Sequence, residues 1–350
     1  MKKIIYPLIG VILSSMICVS CTNSKGKFYE KSNIVMDTAV TLNAYGENSK
    51  EAVEESFKRL DEINEMASTN INTSDVFKIN EASGKGYVKV HPEILKMVKT
   101  SVEYSKLSDG AFDITLGPII NLWGIGTDNE RLPSDEEIKG KLPLVGYDKI
   151  SINENESSIM LQKEGMAIDL GGVAKGFAVD EVLKIYKKYK IENGLINLGS
   201  SSIYAVGKNK ENKDWAVGIK HPRNEDPNEY LGIIKLSNES LSTSGDYERF
   251  FMKDNKRYHH IIDPKTGYPV DNGVVSDTIV INGDLEDNGM ISDILTTTVF
   301  TLGPEKGLKL INNMPKVSCE ITTSDYKVYT SDGFKDRVTN LHKDFKSAPI

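Results

Sequence analysis

From Thr38 to Ala44 polar and apolar residues alternate, with Val40, Leu42 and Ala44 on one side, the period-two pattern of a half-buried strand. The period then changes. Val53, Phe57, Leu60, Ile63 and Met66 recur three or four residues apart, which predicts a helix, and Asn48 with Glu51 three places on predicts a capping box at its start. Pro92 suits the first turn of a second helix carrying Ile94, Leu95, Val98 and Val102 on one face. A third is expected from near Gly172 to about Lys190. It turns Val179, Leu183 and Tyr186 inward, and Lys184, Lys187, Lys188 and Lys190 outward near the C-terminal end, where cations suit the helix dipole. Short alternating runs at 149–152, 159–162, 195–198, 216–219, 232–236, 276–281 and 316–322 predict strands, with hairpin turns at Asn153–Glu156 and Ser331–Gly333. Strands and helices mix without a strict βαβα rhythm, and no repeat or composition break divides the chain. The expectation is an α+β fold forming a single domain over residues 33–345.

The N-terminus follows a different pattern. Lys2 and Lys3 precede an apolar run from Ile4 to Val19, interrupted by Pro7 and closed by Ser20-Cys21. That run is shorter than the ~20 residues a membrane-spanning helix needs. It predicts a lipoprotein-type signal peptide over residues 1–20, with Cys21 acylated and a polar tether over 21–32. Cys18 occupies the place where such signals usually carry Leu. The body is therefore expected to be extracytoplasmic, lipid-anchored to a bacterial cell membrane.

Composition narrows the picture further. With 39% hydrophobic and 27% charged residues over 350 positions, the chain is too apolar for a disordered protein. Removing the signal takes Lys2 and Lys3 and no acid, moving the net charge from −7 to −9. Nucleic acid is not an expected partner, and lipid rather than charge would hold the protein at an anionic membrane. The three cysteines, Cys18, Cys21 and Cys319, are too scattered for a disulfide framework or a zinc cluster, and Cys319 reads as a small buried hydrophobe.

Common chemical motifs are absent. Residues 124–129 (GIGTDN) lack the third glycine of a dinucleotide fingerprint, 171–176 (GGVAKG) lack the Lys-Ser/Thr ending of a P-loop, and no Gly-x-Ser-x-Gly elbow is present. Five clusters remain: Asp109–Thr115 with Gly117-Pro118 and Trp123-Gly124, Ile168–Gly176, Ser242–Tyr247, His259–Gly267, and Ser292–Thr298. Gly171-Gly172 at a helix start exposes backbone N–H groups that suit an anion such as phosphate. Ser292 reads as the beginning of a helix that places Asp293 and Thr297 one turn apart on the same face. This gives two hard oxygen ligands of the kind magnesium accepts from a protein.

Together, Asp109–Gly124, Ile168–Asp180, Ser242–Tyr247, His260–Gly267 and Ser292–Gly303 resemble the ApbE family of flavin transferases, and the likeness runs from about Val35 to Gly333. The resemblance implies a compact β-rich α+β core flanked by helices, related to the T-fold. It also implies a magnesium-dependent enzyme that takes FAD as substrate, transfers the FMN half to a threonine or serine hydroxyl, and releases AMP. On the matching positions Asp293, Thr297 and the Gly172 carbonyl would bind Mg2+. Asp169 and Lys175 would contact FAD, Ala111, Phe112 and Asp113 would form the loop that holds it, and Met36 would sit beside the flavin. His260 is the candidate base for the attacking hydroxyl, and His260 and Ile261 of the same His-Ile-Ile-Asp-Pro run, with Asn70, would also line the cofactor. The acceptor would be an exported protein with a Thr/Ser flavinylation motif, such as a membrane redox subunit, because this chain has no Ser-Gly-Ala-Thr-like stretch of its own.

The departures keep alternatives open. Asp37 stands where the family usually has glycine, Gly199-Ser200-Ser201 replaces a common Gly-Gly-Asp/Asn, and Asn70 stands where many transferases carry a tyrosine near the flavin. Asparagine removes an aromatic stacking surface and resembles members that hydrolyse FAD to FMN and AMP. Transfer, hydrolysis, and flavin binding without chemistry all remain consistent with these residues.

Overall fold

A computed structural model describes residues 27–224, 226, 228–283 and 286–349. The expected signal peptide and Cys21 lie outside them. Nine strands form the main sheet in the order β1 (Phe28–Val35), β2 (Thr38–Tyr45), β6 (Asn193–Leu198), β7 (Ser202–Val206), β10 (Glu239–Gly245), β13 (Val274–Asn282), β14 (Val317–Thr323), β15 (Lys327–Thr330) and β17 (Lys346–Ser347). Every pairing is antiparallel except β15 with β17. Smaller sheets comprise β3 (Val88–Lys89), β5 (Ser158–Leu161) and β4 (Ile150–Asn153); β16 (Val338–Thr339), β9 (Tyr230–Leu236) and β8 (Trp215–Lys220); and the hairpin β11 (Phe250–Lys253) with β12 (Lys256–His259). The helices are α1 (Ser49–Ala67), α2 (Asp75–Glu81), α3 (Pro92–Leu107), α4 (Gly117–Trp123), α5 (Asp135–Lys141), α6 (Ala174–Lys188) and α7 (Asn288–Asn312).

Strand alternation divides the core into layers. Leu42, Ile196 and Leu198 pack with Val53, Phe57, Leu60 and Ile63 of α1 and Val179 and Val182 of α6. Ile279, Ile281, Cys319 and Ile321 pack under Leu295, Val299 and Phe300 of α7. The intervening positions Ile203, Ala205, Leu241 and Val280 face the other way, against Ile219, Leu231 and Ile234 of the three-stranded sheet. Cys319 is a fully buried free thiol, as its apolar surroundings predict. The α+β class read from the residues is the one observed.

Four local expectations fail. Asn48 holds the N-cap position of α1 but its side chain caps nothing; with φ −100° and ψ 19° it instead donates through Nδ2 to the carbonyl of Tyr189. β1 begins inside the segment read as tether. Only its last residue, Val35, is buried, so it looks polar, yet it pairs with β2 along its whole length. Tyr29 and Lys31 also both bond Glu54 of α1 at 2.7 Å. The turn joining β1 to β2 uses Met36 and Asp37, both at positive φ, the handedness that suits a two-residue hairpin. Ser331–Gly333 is not a hairpin turn. β14 and β15 connect through residues 324–326, and Ser331 prolongs the ladder, donating from its N–H to the Cys319 carbonyl while its hydroxyl accepts from the Cys319 N–H. Finally, α7 starts at Asn288, a full turn before Ser292.

Candidate active site

The site is built where α6 crosses α7. A Cβ at Gly176 would fall 2.1 Å from the carbonyl oxygen of Gly289, and one at Gly289 would fall 2.4 Å from that of Gly176. Only glycine at both positions lets the two backbones touch. Asp180, one turn along α6, locks the crossing by accepting the N–H groups of Gly289 and Met290, both at 2.8 Å, which supplies the orphan donors of the α7 N-terminus. Burial pushes the Asp180 carboxyl up to about 7, with nearby Asp287 adding to the rise against those two bonds.

The crossing puts Asp293 into the first turn of α6. Its Oδ2 accepts the Gly176 N–H at 2.9 Å, while Oδ1 lies 3.4 Å from the Ser202 hydroxyl and 3.7 Å from Lys175 Nζ. In a regular first turn the Gly176 N–H would bond the Gly172 carbonyl. That donor is diverted to Asp293, and among the described residues the Gly172 carbonyl accepts no hydrogen bond. Thr297 follows one turn after Asp293, and a Cβ at Gly172 would sit 3.5 Å from its Oγ1. The carboxylate, the hydroxyl and the unclaimed carbonyl are three hard oxygens gathered beside one glycine, a donor set that fits Mg2+.

Neighbouring segments hold this glycine turn in shape. Asp169 accepts the Gly171 N–H at 2.7 Å, and Lys175 Nζ returns to the Gly171 carbonyl at 3.2 Å. Asn80 brackets Ile168 through both its backbone groups, at 2.7 and 3.0 Å, and Asp169 donates its N–H to Ile114. A cavity of about 490 Å3 opens alongside, lined by Asn70, Phe77, Asn80, Ile168 and Asp169 among others. Asn70 and Asp169, both expected at the cofactor, thus share one cleft. Met36 is not among its lining residues; it sits in the β1–β2 turn against the main core.

At the other expected positions the structure shows burial and contacts within the protein. The Asp113 carboxylate is buried and fully engaged, accepting the Thr115 N–H and hydroxyl and the Tyr147 N–H at 2.6–2.8 Å. It shapes its own loop, and burial pushes its pKa up against those bonds. Ala111 and Phe112 are likewise buried, with the Phe112 ring closing over Gly172. Ile261 points its side chain into the core beneath α7. A sequence motif marks these positions without distinguishing a wall of the site from its foundation.

His260 ends the β11–β12 hairpin. Its Nδ1 lies 3.3 Å from the carbonyl of Arg249, which can only accept, so Nδ1 carries the proton and Nε2 keeps a lone pair. Burial, with Arg249, His259 and Lys175 adding positive charge, drives its pKa down to about 3. Its neighbour His259 is the core histidine, bonded to the Val270 carbonyl and set against Phe300.

The five clusters converge through direct contacts. Trp123 Nε1 donates to the Gly267 carbonyl and Lys265 reaches Asp109. Ser242 meets Ser292 at 2.8 Å, and Arg257 lies 3.4 Å from the Asp246 carbonyl. Ser202 and Asn80 were missed in the sequence, because neither belongs to a cluster rich in chemical groups.

Three oxygens gathered at a glycine turn, on a β-rich core flanked by helices, define an α+β protein with a candidate cation site next to a cleft-forming segment. Residues 36–321 match the ApbE family, and the chain belongs to it. It is 30% identical to the FAD:protein FMN transferase of Klebsiella pneumoniae (strain 342), over 92% of this chain and 98% of that protein. To the FAD:protein FMN transferase of Vibrio cholerae serotype O1 it is 32% identical, over 82% of this chain and 85% of that one. The crystal structure of an ApbE protein from Thermotoga maritima superposes with a TM-score of 0.80 at 30% identity, covering 90% of this chain and all of that one. The flavin transferase ApbE from Vibrio cholerae gives 0.78 at 28%, over 89% and 99%.

Proposed function

We propose that this chain transfers the FMN moiety of FAD to a Thr or Ser hydroxyl of an acceptor protein and releases AMP. The observation that carries the reading is the Gly172 carbonyl, left without a donor among the described residues because Gly176 bonds Asp293, in a residue packed beside Thr297 and three positions on from Asp169 of the cleft. Asp293, Thr297 and that carbonyl would hold Mg2+. Bound there, the ion would neutralise charge on the pyrophosphate and on the departing AMP oxygen. Asp169 keeps the glycine turn open, and Lys175, already paired with Asp293, is placed to meet a phosphate. The hydroxyl oxygen attacks the FMN-side phosphorus; its new P–O bond forms as the bond from that phosphorus to the bridging oxygen breaks, and this oxygen leaves with AMP. His260 Nε2 takes the hydroxyl proton. A pyrophosphate beside Arg249 and Lys175 offsets the positive charge that depresses this imidazole, strengthening it as a base once substrate is present.

One observation favours a second reading. Asn70 presents an amide rather than a ring to the cleft, which leaves room for water to replace the acceptor hydroxyl. Incubating the protein with FAD, Mg2+ and a candidate exported redox subunit, and following AMP together with acceptor mass, decides between them. AMP with an FMN-sized mass gain on the acceptor supports transfer. AMP with free FMN and an unmodified acceptor supports hydrolysis, and FAD binding with no AMP refutes both.

We further propose that Cys21 carries the lipid anchor that places this chemistry on the extracytoplasmic face. Among the described residues no helix is long and apolar enough to cross a membrane. Palmitate labelling that survives in Cys21→Ser would contradict this assignment.

A further inference from the structure

Outside the cleft, His221 directly follows β8, while His342 and Asp344 lie in the C-terminal segment after β16. Their side chains meet, with the nearest ring nitrogens and carboxylate oxygen all within 4.8 Å of one another. His221 is 3% exposed, and among the described residues its Nε2 has no partner at ordinary hydrogen-bond distance; the facing group is Asp344 Oδ2, 3.7 Å away. His342 Nδ1 is 3.5 Å from the same oxygen. A buried imidazole nitrogen with nothing to bond is costly unless a ligand completes it. The two rings meet edge to face at 4.9 Å, and Phe345 walls His221 at 4.8 Å.

We propose that His221 Nε2, His342 Nδ1 and an Asp344 carboxylate oxygen bind a divalent transition-metal ion of the zinc type. Two imidazoles and one carboxylate form a borderline nitrogen-rich set, which suits Zn2+ and its neighbours and disfavours Mg2+, whose sites are built from oxygens. The outer contact also fits. Glu229 Oε2 lies 3.3 Å from His342 Nε2, the carboxylate–histidine–metal arrangement that fixes a ligand's tautomer. Burial and the adjacent His342 push the His221 pKa down, the direction that favours the neutral ring a metal ligand must be.

Two backbone contacts must yield when the ion binds. Arg223 N–H donates to His221 Nδ1 at 3.1 Å, and Asp344 N–H to His342 Nδ1 at 3.3 Å. A metal on Nε2 of His221 moves that ring's proton to Nδ1, and a metal on Nδ1 of His342 takes the lone pair Asp344 now uses. The amides of Arg223 and Asp344 therefore report on occupancy. The ion would pin the C-terminal segment to the three-stranded sheet, where His342 N–H already bonds the Leu231 carbonyl.

The test uses the full mature chain and Zn2+ itself, titrated by calorimetry with Mg2+ in large excess, in wild type and in Asp293→Ala. One Zn2+ per chain is expected in both backgrounds, with a rise in Tm and movement of the Arg223 and Asp344 amide resonances. His342→Gln and Asp344→Asn should each weaken binding at least tenfold. Asp344 is exposed, so its variant should keep the metal-free Tm of the parent. Absence of Zn2+ binding, or wild-type affinity in either variant, would overturn the proposal. Binding lost only in Asp293→Ala would place the ion in the cleft and equally overturn it.

Discussion

Two pairs of buried acids behave in opposite ways. At the α6–α7 crossing every carboxylate oxygen of Asp180 and Asp293 lies near a donor, mostly backbone N–H groups fixed by the glycine contact. In β13 and β14, Asp277 and Glu320 are fully buried; among the described residues both Asp277 oxygens and Glu320 Oε2 have no hydrogen-bond partner, and Glu320 Oε1 meets the Thr322 hydroxyl. Burial pushes Asp277 well above the usual carboxylate range and Glu320 up to about 8. The contrast teaches that burial alone does not make an acid functional. The crossing supplies fixed dipoles and an adjacent vacant carbonyl, so Asp293 can serve a cation, whereas the strand pair holds its acids in the neutral form at a cost in stability.

The largest expected effect is on Asp293. Asp293→Ala should lower AMP release by about 10³-fold, equivalent to roughly 4 kcal/mol on the barrier, while leaving FAD binding measurable by fluorescence. Retained turnover would break the comparison at its functional end.

At the other end, Glu320→Gln should stabilise the fold in a pH-dependent way. The raised carboxyl favours the native state fully below the unfolded value of 4.5, and that contribution is lost as pH rises toward about 8. The variant should therefore match wild type near pH 4.5 and gain on the order of 3 kcal/mol at pH 8, read as denaturant midpoints. Equal gains at both pH values would mean that packing, not charge, governs this site.

A smaller effect tests the crossing itself. Gly176→Ala drives a methyl into the Gly289 carbonyl and the Asp293 Cβ, so stability should fall by about 1–3 kcal/mol, with loss of Mg2+-dependent activity. Ala at Gly140, where a Cβ meets nothing, is the control that should change little. The smallest effect concerns the product. Asn70→Tyr should shift the ratio of modified acceptor to free FMN upward by about tenfold or less, corresponding to the ~1 kcal/mol an aromatic contact contributes.

These contrasts also show what the sequence could disclose. Periodicity located α1, α3 and α6 because each buries one regular face, and Pro92 marked its helix start through backbone geometry alone. The edge strand β1 escaped because a strand exposed on one side and flanking a helix on the other carries almost no apolar signal. Asp293, Thr297 and Gly172 were legible as a motif. Their common geometry was not, since the diverted Gly176 N–H depends on a glycine contact between helices far apart in the chain. Asp113 and Ile261 sit in the same motifs, but the way each side chain turns, toward the Tyr147 N–H or into the core under α7, could not be read from them. The paired imidazoles of His221 and His342 were equally hidden, brought together only by the C-terminal segment folding back onto β9.

The central claim is that the α6–α7 crossing assembles a cation site from Asp293, Thr297 and the Gly172 carbonyl. Crystals of the mature protein grown with FAD and Mn2+ in place of Mg2+ would test it directly through anomalous scattering. A manganese peak is expected within coordination distance of Asp293 and Thr297 Oγ1, in contact with the Gly172 carbonyl. A fully occupied peak elsewhere in the cleft, with the Gly172 carbonyl still unbonded, would contradict it.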